Sequence, residues 1–287
     1  MDTTVLIIGA TGQQGRAVVR HLQDKGLKLR ALTRHPEKAA DLKNNGVEIV
    51  EGDLTDKSSL TEVLKGVKRV FLAVTPYEAG VESETLQGIN AVEAAKSAGV
   101  EYLYYSSVGS AQRHTGIPHF DSKRKIEEKI FEVGLNYTIL RPVFFMDNFA
   151  APWMLPGVQQ GIVSLPMLPD KPLAMVAVDD IGRYASAALL NPDKFAKAEI
   201  EFAGEELTIP NALSEISRLT GKEIKFVQMP YDVAEKNVGR EFTIMFKWFN
   251  DVGYNPNIPE LSKKYGIPVT NFGDYLKSAS WISVPKK

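Results

Sequence analysis

The feature that most constrains this chain lies in its first twenty residues: Thr4-Val-Leu-Ile-Ile-Gly-Ala-Thr-Gly-Gln-Gln-Gly15, followed by Arg16-Ala-Val-Val-Arg20. Val5-Leu-Ile-Ile8 is an unbroken aliphatic run, as in a strand buried on both faces. Ala17, Val18 and Leu22 then recur at helical spacing. Between them stand Gly9, Gly12 and Gly15. In a strand–turn–helix the first such glycine permits the sharp turn. The second lets an anion approach the backbone, and the third lets the helix pack on the strand. The free N–H groups and dipole of the helix start favour a pyrophosphate there. The alternative is a purely structural turn. The spacing is Gly-x-x-Gly-x-x-Gly rather than the common Gly-x-Gly-x-x-Gly, so the weight comes from its place after a first strand.

Strand and helix patterns alternate as far as residue 140. Strands are expected over 27–32, 47–50, 67–74, 102–106 and 137–140, and helices over 83–98 and 121–133, the last two ending at Gly99 and Gly134. Such alternation predicts an α/β, doubly wound parallel sheet of Rossmann type, strand order 3-2-1-4-5-6, with ligand at the carboxyl ends of the strands. This domain covers 1–150 and is completed by part of 174–203. Prolines at 152, 156, 166, 169 and 172 mark a change of pattern. Residues 151–287 are expected to form a smaller α+β part that covers the site and supplies a substrate or partner pocket.

The bulk numbers exclude several classes. The 287 residues are 44% hydrophobic and 24% charged with net charge −1, the balance of a globular protein without a basic footprint for nucleic acid or anionic membrane. With no cysteine there is no disulfide, thiolate nucleophile or thiolate metal site. The four histidines include no pair at metal-ligand spacing, so no metal is expected. No apolar run approaches the ~18 residues of a membrane span, and no signal segment precedes the first strand. A cytoplasmic monomer or homodimer is the expectation.

Candidate site residues follow the strand ends. Thr33-Arg34-His35-Pro36-Glu37-Lys38 closes the second strand, where this fold meets the adenosine ribose. No acid ends that strand to accept from a 2′-hydroxyl. Arg34 and Lys38 instead suit the 2′-phosphate of NADP(H), in preference to NAD(H); the alternative is a solvated basic helix start. Asp53 follows the third strand, able either to accept from an adenine amino group or to cap the next helix. Thr75-Pro76-Tyr77 follows the fourth strand and borders the ribose and pyrophosphate, or is a plain proline turn. Ser106 ends the fifth strand, facing the nicotinamide. A short-chain reductase needs a Tyr four residues before a Lys, as acid and ribose anchor. Here His119-Phe-Asp-Ser-Lys123 keeps the Lys and replaces the Tyr with His119, which reads as a surface residue ahead of a helix. Imidazole can move protons near neutral pH, so His119 and Lys123 stand as catalytic candidates. Arg124, Lys125 and Lys129 read as a solvated helix face. Phe144, Phe145 and Met146 suit an apolar wall for a nicotinamide, with core packing as the alternative and the preferred reading for Phe144.

These segments together resemble the NmrA-like group of atypical short-chain dehydrogenase/reductases. The likeness rests on Gly9-Ala-Thr-Gly-Gln-Gln-Gly15, Thr33-Arg34, Gly52-Asp53, His119-Phe-Asp-Ser-Lys123, Arg141-Pro with Phe145-Met-Asp-Asn148, and Val176-Ala-Val-Asp-Asp-Ile-Gly182. It implies NADP contacts from Gly9, Ala10, Thr11, Gly12, Gln13 and Gln14, from 34–38, from Asp53, Leu54, Thr75, Tyr77 and Lys123, and from Phe145 to Asn148. The family holds both NADPH-dependent reductases of quinones, dyes and related conjugated substrates, and NADP-binding regulators that act through protein partners. Two readings follow: an oxidoreductase of a small apolar, conjugated acceptor, with Trp153, Met154, Met167, Met245, Phe246, Trp248 and Phe249 as pocket candidates and plain core packing as the preferred alternative for most of them, or a redox sensor acting through a protein partner. The absent Tyr favours the sensor. A hydride passed directly to a conjugated acceptor, however, needs less help from an acid.

Overall fold

The computed structural model describes residues 3–282. The chain divides into two compact units, residues 1–141 with 178–200, and residues 142–177 with 201–287. The first ends at 141 rather than 150 because the chain leaves the sheet after its sixth strand and returns with one helix and one further strand.

In chain order the first unit holds β1 (Thr4–Ile8), α1 (Gln13–Leu22), β2 (Lys28–Thr33), α2 (Ala40–Asn44), β3 (Glu48–Glu51), α3 (Lys57–Val63), β4 (Val67–Leu72), α4 (Gly80–Ser97), β5 (Tyr102–Ser106), α5 (Pro118–Val133) and β6 (Tyr137–Pro142). The intervening second-unit elements are β7 (Phe144–Phe145), α6 (Leu155–Gln160), β8 (Ile162–Leu165) and β9 (Pro172–Val176); α7 (Val178–Leu190) and β10 (Ala198–Phe202) then complete the sheet. The order is β10-β6-β5-β4-β1-β2-β3, so the expected six-strand order gains a seventh strand. The pairings of β1 with β2 and β4, β2 with β3, β4 with β5 and β5 with β6 are all parallel. Val5, Leu6 and Ile7 are fully buried, as their unbroken apolar run requires.

On one face, Leu6, Ile8, Leu72, Leu103, Tyr105 and Ile139 pack with Val92 and Ala95 of α4 and Ile126 and Ile130 of α5 in a single apolar cluster. On the other, α1 packs against α7, close enough that a Cβ at Gly182 would stand 2.6 Å from the Ala17 carbonyl carbon. Two helices begin earlier than their sequence pattern suggests, α4 at Gly80 and α5 at Pro118. In α5 the proline takes N1, where its missing N–H costs nothing, and this draws His119 into the first turn.

The second unit, considered by itself, holds a three-stranded sheet, β11-β9-β7, in which β11 (Glu205–Thr208) runs antiparallel to β9. Its two-stranded parallel sheet joins β8 to β12 (Lys225–Gln228). Helices α8 (Ile209–Thr220), α9 (Tyr231–Val238), α10 (Arg240–Asp251), α11 (Ile258–Tyr265) and α12 (Phe272–Ser278) complete it. Its core holds Phe149 against Phe272, ring centroids 5.1 Å apart. Among the described residues no helix is long and apolar enough to cross a membrane.

Candidate nucleotide site

The strand order reverses between β1 and β4, the neighbours that lead to opposite halves of the sheet. A doubly wound sheet opens a crevice at the carboxyl ends of such strands, and there the turn after β1 sits. Gly9 has φ +82° and a Cβ there would lie 2.6 Å from the Ala73 carbonyl oxygen. A Cβ at Gly15 would lie 2.2 Å from the Gly9 carbonyl oxygen, so only glycine lets α1 rise this close to the turn. Gly12 is the N-cap of α1 with no side-chain cap bond, and the first turn of the helix carries no acid. Thr11, Gly12 and Gln13 are exposed, and Ala10 is buried beneath them. An open helix N-terminus, glycines at three positions of the turn and no acid in the first helical turn fit a pyrophosphate.

A cleft of about 180 Å³ continues from this turn, lined by Gly9, Thr11, Arg34, Lys38, Gly52, Asp53, Leu54, Val74, Thr75, Glu78 and Gln87, among others. A larger cleft, about 400 Å³, lies by Gln23, Asp24, Lys28, Asn45 and Glu48. It sits at the amino ends of β2 and β3, the wrong end of the strands for a ligand in this architecture. Arg34 leaves the end of β2 and forms an ion pair with Glu78 in the segment after β4. Lys38 lies in the 3-10 turn Pro36–Ala39. Asp53 is held by Thr55, whose N–H and hydroxyl both donate to Oδ1 at 2.8 Å. The Thr55 backbone bond, with the Arg34 charge nearby, keeps its carboxyl below the usual range. The cap of α3 is not Asp53 but Asp56, which accepts from Ser58 N–H at 2.9 Å. The Leu54 carbonyl accepts from buried Asn90 at 2.8 Å, tying this loop to α4. Pro76 is half-buried and Tyr77 is 72% exposed at the rim. Ser106 donates to Gln14 Oε1 at 2.5 Å and so joins the end of β5 to the start of α1.

Beneath this cleft lies a buried polar set. Lys123 Nζ donates to the Val74 carbonyl at 2.9 Å and to Glu84 Oε1 at 2.7 Å; Ser122 donates to the other Glu84 oxygen. Glu84 is fully buried. The ammonium of Lys123 is therefore held by α4 and by a strand-end carbonyl that lines the cleft. His119 is buried, not a surface residue, because α5 starts at Pro118 and turns it inward with its ring 4.9 Å from that of Phe120. Beyond it, Arg141 grips Glu127 with two bonds of 2.9 and 2.8 Å and reaches Glu199 at 2.6 Å. Ser107 and Arg124 also donate to Glu127. Arg124 thus belongs to a buried network rather than a purely solvated face, and Lys129 pairs with Glu93 and Glu132. The Tyr105 hydroxyl is wholly buried and makes no hydrogen bond among the described residues. Burial, with the charges of Glu84 and Glu127, raises it well above the ordinary phenol range, so it is a poor proton donor.

The first unit thus gathers Gly9, Ala10, Thr11, Gly12, Gln13, Gln14, Gly15, Arg34, Lys38, Asp53, Leu54, Thr75, Pro76, Tyr77, Ser106 and Lys123 around the carboxyl ends of its strands. Phe145, on β7, and Asn148, in the 3-10 turn Met146–Ala150, belong to the second unit. Sequence reading missed Glu78, Glu84 and Gln87. For Glu84 a signal existed: it precedes Gly88, Ala91, Val92 and Ala95 on the 3–4 spacing of the buried face of α4. Among the described residues no group of three or more His, Asp or Glu could hold a metal ion.

Sheet, turn and cleft define a Rossmann-type nucleotide-binding architecture. The chain belongs to the NmrA-like family, whose profile matches residues 1–276. It is 28% identical over 249 residues to the photosystem II assembly factor Ycf39 of Cyanophora paradoxa, covering 85% of this chain and 77% of that one. It is 30% identical over 232 residues to the (4-alkanoyl-5-oxo-2,5-dihydrofuran-3-yl)methyl phosphate reductase of Streptomyces griseus, covering 80% and 78%. Among solved structures, the NADPH complex of the quinone oxidoreductase QOR2 of Escherichia coli superposes with TM-score 0.80 at 25% identity, over 94% of this chain and 98% of that one. The NADP(H) complex of triphenylmethane reductase from Citrobacter sp. has the same fold, with TM-score 0.82 at 22% identity over 96% and 99%.

Proposed function

We propose that this protein binds NADP(H) across the carboxyl ends of β1, β2 and β4 and is an NADPH-dependent oxidoreductase of small conjugated acceptors such as quinones. The observation that carries the reading is the open, acid-free start of α1 behind the Gly9–Gly15 turn, continuous with a cleft bearing Arg34 and Lys38. Bound there, the nicotinamide would supply a hydride, and a quinone that takes the hydride and one proton becomes a hydroquinone. Gly9 to Gln14 would hold the pyrophosphate through backbone N–H groups, Arg34 and Lys38 the 2′-phosphate, and Asp53 and Leu54 the adenine. Thr75, Pro76 and Tyr77 would border the ribose. Lys123 acts by keeping the Val74 carbonyl in place at the cleft wall. The reductase and quinone oxidoreductase among its relatives support this assignment.

A second reading is an NADP(H) sensor that reports to a protein partner. Three observations favour it: the usual Tyr is His119, Lys123 is committed to Glu84, and Tyr105 is a poor acid. An assembly factor among the relatives is consistent with it. The test is loss of NADPH absorbance with a panel of quinones, enones and dyes, alongside NADPH titration by fluorescence. Turnover above the protein-free rate establishes the reductase. Tight binding without oxidation across the panel selects the sensor.

A further inference from the structure

Arg34, the group best suited to a 2′-phosphate, already holds a carboxylate. Its guanidinium is paired with Glu78, contributed by the segment between β4 and α4. Arg34, Lys38, Asp53 and Glu78 all line the same cleft, so its two cations stand against two anions. Asp53 stays ionised because Thr55 hydrogen bonds and the Arg34 charge hold its carboxyl low. A 2′-phosphate therefore gains the Arg34 fork only by taking it from Glu78, and must then settle near that carboxylate and Asp53. A 2′-hydroxyl meets a different site. It brings no charge and can donate to Glu78 while Arg34 keeps its partner. Both side chains are partly exposed, 43% for Arg34 and 62% for Glu78, so the exchange needs no unpacking of the core.

Resting on the reading of this cleft as the adenosine site of a nicotinamide dinucleotide, we propose that Glu78 is a specificity-determining residue: it competes with the 2′-phosphate for Arg34 and thereby admits NAD(H) beside NADP(H). The lone arginine after β2 points to NADP(H); the acid that offsets it comes from another strand end.

The experiment is equilibrium titration of NADPH and of NADH, followed by cofactor fluorescence, for the wild-type protein, Glu78→Gln, Arg34→Ala and the double variant. Glu78→Gln should tighten NADPH binding about three- to tenfold, the range open to an exposed charge pair plus relief of repulsion. It should leave NADH binding unchanged or weaker. In the Arg34→Ala background the same substitution should lose most of its effect, because the competition has lost its object. An NADPH-to-NADH affinity ratio that stays within about twofold in Glu78→Gln, with binding intact, overturns the role of Glu78 alone. Absence of binding of either cofactor to the wild-type protein overturns the reading of the cleft itself.

Discussion

Replacing Lys123 with Met tests how the buried pair under the cleft is organised. Glu84 has no exposed surface and Lys123 only 12%. Glu84 takes one bond from Lys123 Nζ at 2.7 Å and one from Ser122. Methionine fills much of the lysine volume but leaves a buried carboxylate with a single hydroxyl donor. Breaking a buried pair in this way costs about 3–5 kcal/mol, a large share of the roughly 5–15 kcal/mol that holds a folded domain together. Glu84→Gln removes the other charge, and its cost is smaller because Lys123 keeps the Val74 carbonyl and a route to water. In the double variant no charge stays buried, so its loss should fall short of the summed single losses by at least ~1 kcal/mol. The assay is denaturant unfolding followed by circular dichroism and by tryptophan fluorescence, two probes because two compact units need not unfold together. A loss below ~1 kcal/mol for Lys123→Met, or strict additivity in the double variant, would refute the claim that the pair is coupled and buried.

Two further predictions concern the frame of the site. Gly15→Ala puts a methyl 2.2 Å from the Gly9 carbonyl oxygen, whereas the same change at Gly12 meets only that oxygen, at 3.3 Å. Gly15→Ala should lower stability by about 1–3 kcal/mol, read as an earlier thermal transition, while Gly12→Ala should leave the melting temperature nearly unchanged and weaken NADPH binding. Asp179 faces Arg20 at 2.6 Å and His21 at 3.0 Å. Burial opposes its ionisation, but those partners outweigh burial and hold its carboxyl below the usual value. Its contribution is present above the unfolded carboxylate range and is lost as pH falls through the lowered value, so Asp179→Asn should flatten the acid limb of a stability-versus-pH curve below about pH 4.

The parts legible in the chain are those governed by local chemistry. Val5-Leu-Ile-Ile8 announced a strand buried on both faces, and Gly9 and Gly15 sit where backbone conformation and close approach admit no side chain. Arg34 at the end of β2 needed only strand counting. Helix starts were read late at Gly80 and Pro118, because capping there depends on φ and ψ rather than on a polar cap residue. The short strands β7, β8 and β11 were missed. Each spans two to four residues, too few to show a period, and β7 and β11 pair with β9 across about thirty to thirty-six residues of chain.

By itself the sequence determined that a parallel sheet begins at Thr4, that a glycine turn leading into a helix follows it, and that a basic side chain stands at the second strand end. Each of these depends on residues within a few positions of one another. Only the tertiary structure decided what those charges meet. Arg34 faces Glu78 from the next strand end but one in chain order, Lys123 is locked to Glu84 of a preceding helix, and His119 is turned into the protein. The energy of a charge is set by its partner and its burial, and both come from segments that the folding of the sheet brings together from tens of residues away.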